Sequence, residues 1–282
     1  MKYRHAHHAG NFADAVKHLV LVELLEALKR KPAPFLYLET HAGRGEYPLP
    51  PPKERQGSEF DLGFGRLLSA RAATQPAGLI QYVDIVRHLA DDAESPIYPG
   101  SPLIAASLLR PEDRAVLYEC QPDEATALRR LFDHRKGVSV HHGDGYVGLR
   151  SQLPPAERRG LVFIDPAYEE QEREFDAIRA ALRDSLQRWA TGVYAIWYPV
   201  KRLAPVRRFH EEVVRLGARR VFAAELYVYP PDSRASLNGC GVLVINTPWQ
   251  VDEKLELALP ALHRAFETKP GTSAGGHWLV GD

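Results

Sequence analysis

Residues 161–168 read LVFIDPAY. Four apolar residues end abruptly on Asp165, and Pro166, Ala167 and Tyr168 follow. A short, unbroken apolar run is what a strand buried on both faces looks like, and such strands belong to parallel sheets covered by helices. Ligands of open parallel sheets gather at the carboxyl ends of the strands. A strand that stops on a carboxylate and then stiffens with proline therefore delivers chemistry to that edge. This reading requires the neighbouring segments to repeat the pattern.

Upstream, RAVLYEC (114–120) and GVSVHHGD (137–144) read as strands, with PDEATALRRLFD (122–133) and VGLRSQL (147–153) as helices. Downstream, EEQEREFDAIRAALRDSLQRW (169–189) is an amphipathic helix, TGVYAIWYPV (191–200) a strand and RLAPVRRFHEEVVRLG (202–217) a helix. RVFAAELYVY (220–229) and GVLVINTP (241–248) follow as strands with no helix between them, which predicts an antiparallel hairpin at a sheet edge. At the front, FADAVKHLVLVELLEALKR (12–30) is a helix of good formers, capped by Asn11 and stopped by Pro32 and Pro34. FLYLET (35–40) is a buried strand that runs into HAGRG (41–45). Counted together these predict seven strands in a mostly parallel, doubly wound α/β sheet of Rossmann-like type.

The rhythm breaks after residue 46. The Pro-rich YPLPPPKERQGSE (47–59) leads into helical pieces near 59–71 and 77–92, and SPLIAASLL (101–109) resumes as a helix capped by Ser101. Residues 48–97 are thus expected to form an inserted helical subdomain, and residues 1–31 an N-terminal tail and helix, of one domain spanning 1–282. That length suits a single large α/β domain.

The 36 basic residues balance 36 acidic ones, so nucleic-acid binding has to come from a local patch. The pairs Lys201-Arg202, Arg207-Arg208 and Arg219-Arg220 are candidates, against the ordinary reading of a solvated helix face. Two cysteines make no disulfide framework and suit a reducing cytoplasm. No apolar run reaches the roughly 18 residues of a membrane span, and the N-terminus lacks the apolar core of a secretory signal. No sustained heptad appears, so a monomer is expected.

Polar residues follow at least four of the strands: Gly43 and Gly45, then Glu119, then Asp144 and Gly145, then Asp165. Each alone is a turn glycine or a surface charge. Together they describe a nucleoside site, with glycines for close approach, Glu119 for ribose hydroxyls and Asp144-Gly145 for an adenine edge. The dinucleotide fingerprint lacks its third glycine in AGRGEYPLP (42–50), and a Pro-rich segment stands where a pyrophosphate-binding helix would begin. A cofactor without phosphates, S-adenosylmethionine, fits better.

Methyl transfer to an exocyclic amine needs its delocalised lone pair aimed at the methyl carbon. The Asp165 carboxylate and the Pro166 carbonyl supply two acceptors that orient the amine, and Tyr168 a face for stacking, worth about 1–3 kcal/mol per base. A carboxylate of ordinary pKa, ≈ 3.9, does not deprotonate a neutral amine. Its role is to orient and to accept the proton after transfer, with rate coming from positioning and electrostatics. The target must first leave its stack. The motif suits any planar amine, so RNA adenine, DNA adenine and protein glutamine stay open. The cluster His5, His7, His8 and His18 raises a metal-dependent hydrolase as another reading, but no HExxH and no cysteine pair completes a site. A non-catalytic RNA-binding protein would not need such a cofactor edge.

Across nearly the whole chain, YRHAHHAGNFADAVKH (3–18), FLYLETHAGRGEY (35–47), YPGSPLIA (98–105), LYEC (117–120), GDGY (143–146), RRGLVFIDPAY (158–168), TGVYAIWYPV (191–200) and INTPW (245–249) occur in order. In these the chain resembles the bacterial 23S ribosomal RNA adenine-N6 methyltransferases of the RlmJ family. The resemblance implies a class I S-adenosylmethionine-dependent fold and a 23S RNA substrate, protein-free or in an early assembly intermediate. It implies that Lys17, His18 and His41 meet the methionine part of the cofactor and that Ser101 adds a contact. Glu119 would hold the ribose, Asp144 and Gly145 the adenine, and Asp165 would be the catalytic acceptor. Tyr3 and Arg4 would meet the RNA and close over the target. One departure is Ala167, where the family pattern carries a second proline. The acceptor carbonyl belongs to Pro166, which is kept, so activity is expected to survive.

Overall fold

The computed structural model describes residues 8–51, 53–69, 75–91, 93, 95–235, 237–266 and 268–281. Helix α1 (Phe12–Lys29) is capped by Asn11, whose side-chain oxygen accepts the Ala13 and Asp14 amides at 2.9 and 3.0 Å. Strand β1 (Leu36–Glu39) follows, buried throughout. Next, β2 (Glu46–Pro48) and β3 (Ile97–Pro99) pair as an antiparallel ribbon outside the main sheet. Between them lie α2 (Glu59–Leu62), α3 (Phe64–Ser69) and α4 (Ala77–Asp91). The single helix expected at 59–71 breaks at Gly63, where the Gly10–Asn11 backbone passes so closely that a Cβ would overlap it, and the Phe64 amide donates to the Gly10 carbonyl at 2.8 Å.

The alternation resumes with α5 (Ser101–Leu108), β4 (Arg114–Glu119), α6 (Pro122–Phe132), β5 (Val138–His142), α7 (Gly145–Gln152), β6 (Gly160–Ile164), α8 (Gln171–Arg188), β7 (Val193–Val200) and α9 (Leu203–Arg215). It ends with β8 (Val221–Tyr227), β9 (Gly239–Ile245), α10 (Val251–Ala265) and β10 (Ala274–Val280).

The main sheet has eight strands rather than seven, in the order β10-β8-β9-β7-β6-β1-β4-β5. Strands β5, β4, β1, β6 and β7 run parallel, with β6 at the centre between β1 and β7. The apolar run of residues 161–164 is completely buried there, as read. β8 and β9 do pair antiparallel, and β9 lies between β8 and β7. Their hairpin is not the sheet edge, because β10 adds antiparallel onto β8. Both α10 and β10 escape the sequence reading. Pro260 sits inside α10 and would ordinarily break a helix, while Gly275 and Gly276 make β10 look like a loop. No helix among the described residues is long and apolar enough to cross a membrane.

One face of the sheet is covered by α1, α5, α6 and α10, the other by α7, α8 and α9. The segment between β2 and β3 joins the first of these layers through packed rings. Phe64 lies 5.4 Å from Tyr82 and 5.6 Å from Tyr98, and His18 of α1 stacks on Tyr98 at 5.6 Å. A buried charge ties three helices there. Glu23 of α1 is 1% exposed, takes the Lys254 ammonium of α10 at 2.9 Å, and lies against Gly78 of α4, where a Cβ would collide with its carboxylate. Removing one partner of a buried pair strands the other charge. Lys254→Met is therefore expected to lower stability by about 2–3 kcal/mol, at or just below the bottom of the usual range of about 3–5 kcal/mol because the ammonium is half exposed. Urea unfolding should show much of that loss recovered by adding Glu23→Gln.

Candidate active site

A cavity of ≈ 540 Å³ opens at the carboxyl ends of the parallel strands. Its walls come from α1 (Lys17, His18), the turn after β1 (His41 to Arg44), the start of α5 (Gly100, Ser101), the end of β4 (Glu119) and the end of β6 (Asp165, Ala167).

The turn after β1 needs its two glycines. Gly43 and Gly45 have φ of +60° and +86°, in the left-handed region, and a Cβ on Gly45 would run into Leu128 and Leu131 of α6. The turn is fastened to β4 through Glu119, which accepts the Gly43 amide at 2.8 Å and the Gln121 amide at 2.7 Å, one on each oxygen. Each oxygen keeps a further acceptor direction. A carboxylate so held, buried yet lining the cavity, can take a vicinal diol. Asp123 lines the same mouth, where Glu124 pairs with Arg44 at 3.1 Å.

Asp165 stands two strands away from Glu119, about 10 Å at the usual strand spacing. Its Oδ2 accepts the Lys17 ammonium at 2.6 Å, and Lys17 also pairs with Asp14 at 2.8 Å. Lys17 lines the cavity, but its charge is thus directed to Asp165 and Asp14. Burial alone would lower the Lys17 pKa, yet Asp14 and Asp165 outweigh it and hold the ammonium well above its ordinary value. Asp14, buried at 2%, accepts the Gly10 amide at 2.8 Å as well, so it also anchors the entry to α1. Asp14 was not singled out in the sequence, although its i,i+3 spacing to Lys17 was a usable signal.

Glu39 is the second residue that sequence reasoning left without a role. It ends β1, is fully buried, and accepts the Tyr37 hydroxyl at 2.8 Å and the Ser101 hydroxyl at 2.5 Å. Burial pushes its carboxyl up to about 8, against the pull of the two hydroxyls and with the help of Asp165. Its position at a strand end was the available signal. The Ser101 hydroxyl is committed to Glu39, so Ser101 is not the cap of α5: Gly100 holds that position.

His41 lines the cavity half-buried, bonded through Nδ1 to Thr40 Oγ1 at 2.8 Å and packed edge-on against Tyr146. Burial pushes it down to about 4, so it is neutral near neutral pH. His18 bonds the Tyr98 hydroxyl at 2.8 Å while facing the cavity. Asp144 and Gly145 do not reach the cavity walls. Asp144 caps α7, accepting the Tyr146 amide at 2.8 Å, and Gly145 packs so tightly on Thr40 that a Cβ would overlap its backbone. Pro166 is buried beside Asp165. Tyr168 is partly buried; its hydroxyl donates to the Trp197 carbonyl at 2.6 Å, and its ring meets Trp197 and Phe175 edge-on, each at 5.6 Å. His8 bonds Glu59 at 2.8 Å. Tyr3, Arg4, His5 and His7 lie outside the described residues.

Comparison with known proteins adds a family. The family model described as "Ribosomal RNA large subunit methyltransferase D, RlmJ" matches residues 32–280. A protein of Escherichia coli K12 named "Ribosomal RNA large subunit methyltransferase J" is 37% identical over 280 residues, 99% of both chains. A Haemophilus influenzae protein of the same name is 38% identical over 281 residues, 99% of this chain and 98% of the relative. A crystal structure of a Legionella pneumophila protein, 34% identical, superposes with a TM-score of 0.86 over 96% of this chain and 98% of that one.

The buried Glu39 generates a pH prediction. A carboxyl raised from 4.5 to about 8 on folding contributes stability that is complete below 4.5 and lost as pH climbs through about 8. Glu39→Gln keeps an acceptor and carries no charge. Between about pH 5.5 and about pH 8.5 the variant is expected to gain more than about 1 kcal/mol on the wild type. Denaturant unfolding at both pH values measures this, and parallel pH dependences would exclude a buried titrating Glu39.

Proposed function

The chain belongs to the RlmJ family of ribosomal RNA large subunit methyltransferases, and we propose from this premise how its site methylates the N6 amine of an adenine in 23S ribosomal RNA. The observation that carries the reading is one cavity joining Glu119, held for a diol, to Asp165, aimed at an amine. S-adenosylmethionine supplies an electrophilic methyl group on a sulfonium.

In this proposal Glu119 binds the ribose hydroxyls, and the turn carrying Gly43 lets the ligand approach the backbone. His18, His41 and Ser101, all on the cavity wall, surround the methionine part. Asp144 and Gly145 serve the adenine end indirectly, by seating α7 against Thr40. Lys17 fixes Oδ2 of Asp165 and leaves Oδ1 to accept an N–H of the target, while the Pro166 carbonyl accepts the other. With both hydrogens held, the amine lone pair would point in line, and Asp165 would accept the proton that the methylated, cationic amine has to shed. Tyr168, pinned by the Trp197 carbonyl, offers the partly exposed ring beside the base. Tyr3 and Arg4 are assigned to the RNA from the tail. Because a flipped adenine must be accessible, protein-free or early-assembly RNA in the cytoplasm is the proposed substrate and a monomer the working unit.

Labelled S-adenosylmethionine incubated with protein-free 23S RNA, DNA and protein fractions tests this. Label is expected in RNA, and label only in DNA or protein refutes the reading. Asp165→Ala is expected to reduce transfer by at least about a hundredfold, the scale of removing a preorganised electrostatic partner, with cofactor affinity within a few-fold of wild type. Glu119→Gln should weaken cofactor binding about tenfold in calorimetry, the worth of a hydrogen bond to a charged group. An unchanged dissociation constant would remove Glu119 from the ribose.

A further inference from the structure

The chain is neutral, 36 against 36, so a long polyanion has to be held by an uneven distribution of charge. The fold creates one by separating the basic pairs. Lys201 and Arg202 follow β7 directly, at the edge where Asp165 stands. Arg219 and Arg220 precede β8 and bond through their carbonyls to the Asn246 and Thr247 amides beyond β9, so they mark the opposite edge. Arg208 is bound to Glu212 at 3.1 Å.

Other residues join Lys201 and Arg202. The β8–β9 loop is tied to the end of β7 by the buried Asn238, whose amide donates to the Val200 carbonyl at 2.9 Å and whose side chain donates to the Lys201 carbonyl at 2.8 Å. This brings Arg234 and the exposed ring of Tyr229 to the same rim. Lys269 donates its amide to the Val228 carbonyl at 3.0 Å and stands beside them. Arg207 is exposed on the second turn of α9, the helix that follows Lys201 and Arg202, and its charge is felt by Tyr227 at the end of β8.

We propose that Lys201, Arg202, Arg207, Tyr229, Arg234 and Lys269 form the surface on which the RNA backbone flanking the target adenine docks. Among the described residues none of these five cations forms a salt bridge. The acids nearby are occupied: Glu225 accepts the Tyr198 and Tyr227 hydroxyls at 2.8 and 2.9 Å, and Asp232 accepts the Leu203 amide at 2.8 Å. Across the mouth, Asp123 lines the cavity wall and Glu124 pairs with Arg44 at 3.1 Å, while Glu169, Glu170 and Glu172 follow β6 beside the end of β7, where the Gln171 side chain donates to the Pro199 carbonyl at 2.8 Å. Cations without carboxylate partners attract phosphates on this rim, so the RNA enters over β7 to β10. Three strand spacings, about 14 Å, accommodate several successive phosphates. Tyr229 adds a stacking face for an unpaired base.

This surface rests on the RNA reading above and adds where the RNA lies. The test is the triple variant Arg202→Glu/Arg234→Glu/Lys269→Glu beside Arg219→Glu at the opposite edge. The triple variant is expected to bind protein-free 23S RNA at least about thirtyfold more weakly, with the slope of log affinity against log salt reduced by about 2–3. Cofactor affinity, which also reports folding, should stay within about twofold, and kcat at saturating RNA within about threefold, so the loss falls on KM. Arg219→Glu should change none of these. If the triple variant loses cofactor affinity, each single variant is measured instead, with about a threefold weakening of RNA binding expected from each. Unchanged RNA affinity and salt slope, in an enzyme that still methylates RNA, overturns the surface and leaves the activity standing. A wild type that transfers no methyl to RNA overturns both.

Discussion

The site depends on one buried ammonium. Lys17 lies between Asp14, three residues earlier on its own helix, and Asp165, at the end of the central strand 148 residues later. Three charged groups inside a protein are expensive to desolvate, and they are tolerated only when each has its partners. The arrangement meets that condition, since Asp14 also takes the Gly10 amide. Its consequence is geometric. The entry to α1 cannot shift without stranding a charge, so the helix that walls the cavity and the Asp165 carboxylate on the same wall are held as one unit. One Asp165 oxygen is occupied in the process, which leaves the other to act.

Around that unit, short polar links between strand ends replace what a flexible loop would otherwise provide. Glu119 holds the glycine turn through the Gly43 amide, and Glu39 holds α5 through the Ser101 hydroxyl. The turn after β6 shows the same economy. Ala167 stands where the family pattern carries proline, yet the Glu169 amide closes back onto the Ala167 carbonyl at 2.9 Å. A hydrogen bond supplies the constraint that a second ring would have supplied. Ala167 is itself exposed at the cavity, and Pro166 beside it is buried.

Much of the fold was legible. Wherever a strand is buried on both faces, as at residues 161–164 and 36–39, the composition is uniformly apolar and the strand is unmistakable. Legibility fails where local chemistry contradicts tertiary context. β10 carries Gly275 and Gly276, and Phe222 of β8 lies so close to Gly276 that a Cβ there would collide with its ring. A weak strand former is therefore required at a position where propensity argues for a loop. Pro260 is accommodated inside α10 by a helix whose apolar face is fully buried. Neither compensation leaves a trace in the local sequence.

The site divides along the same line. Residue type and order determined that Gly43, Glu119 and Asp165 stand at successive strand ends, because a parallel sheet places every such end on one edge. They also determined the cofactor class, since the glycine turn lacks the phosphate-binding continuation. Only the tertiary structure decided which partner each polar group takes. It directed Lys17 to Asp165, gave the Ser101 hydroxyl to Glu39, turned Asp144 into a helix cap, and sent two neighbouring basic pairs to opposite edges of the sheet. Charge and hydrogen-bond pairing act over a few ångströms across segments far apart in the chain, and that distance exists only once the sheet has formed.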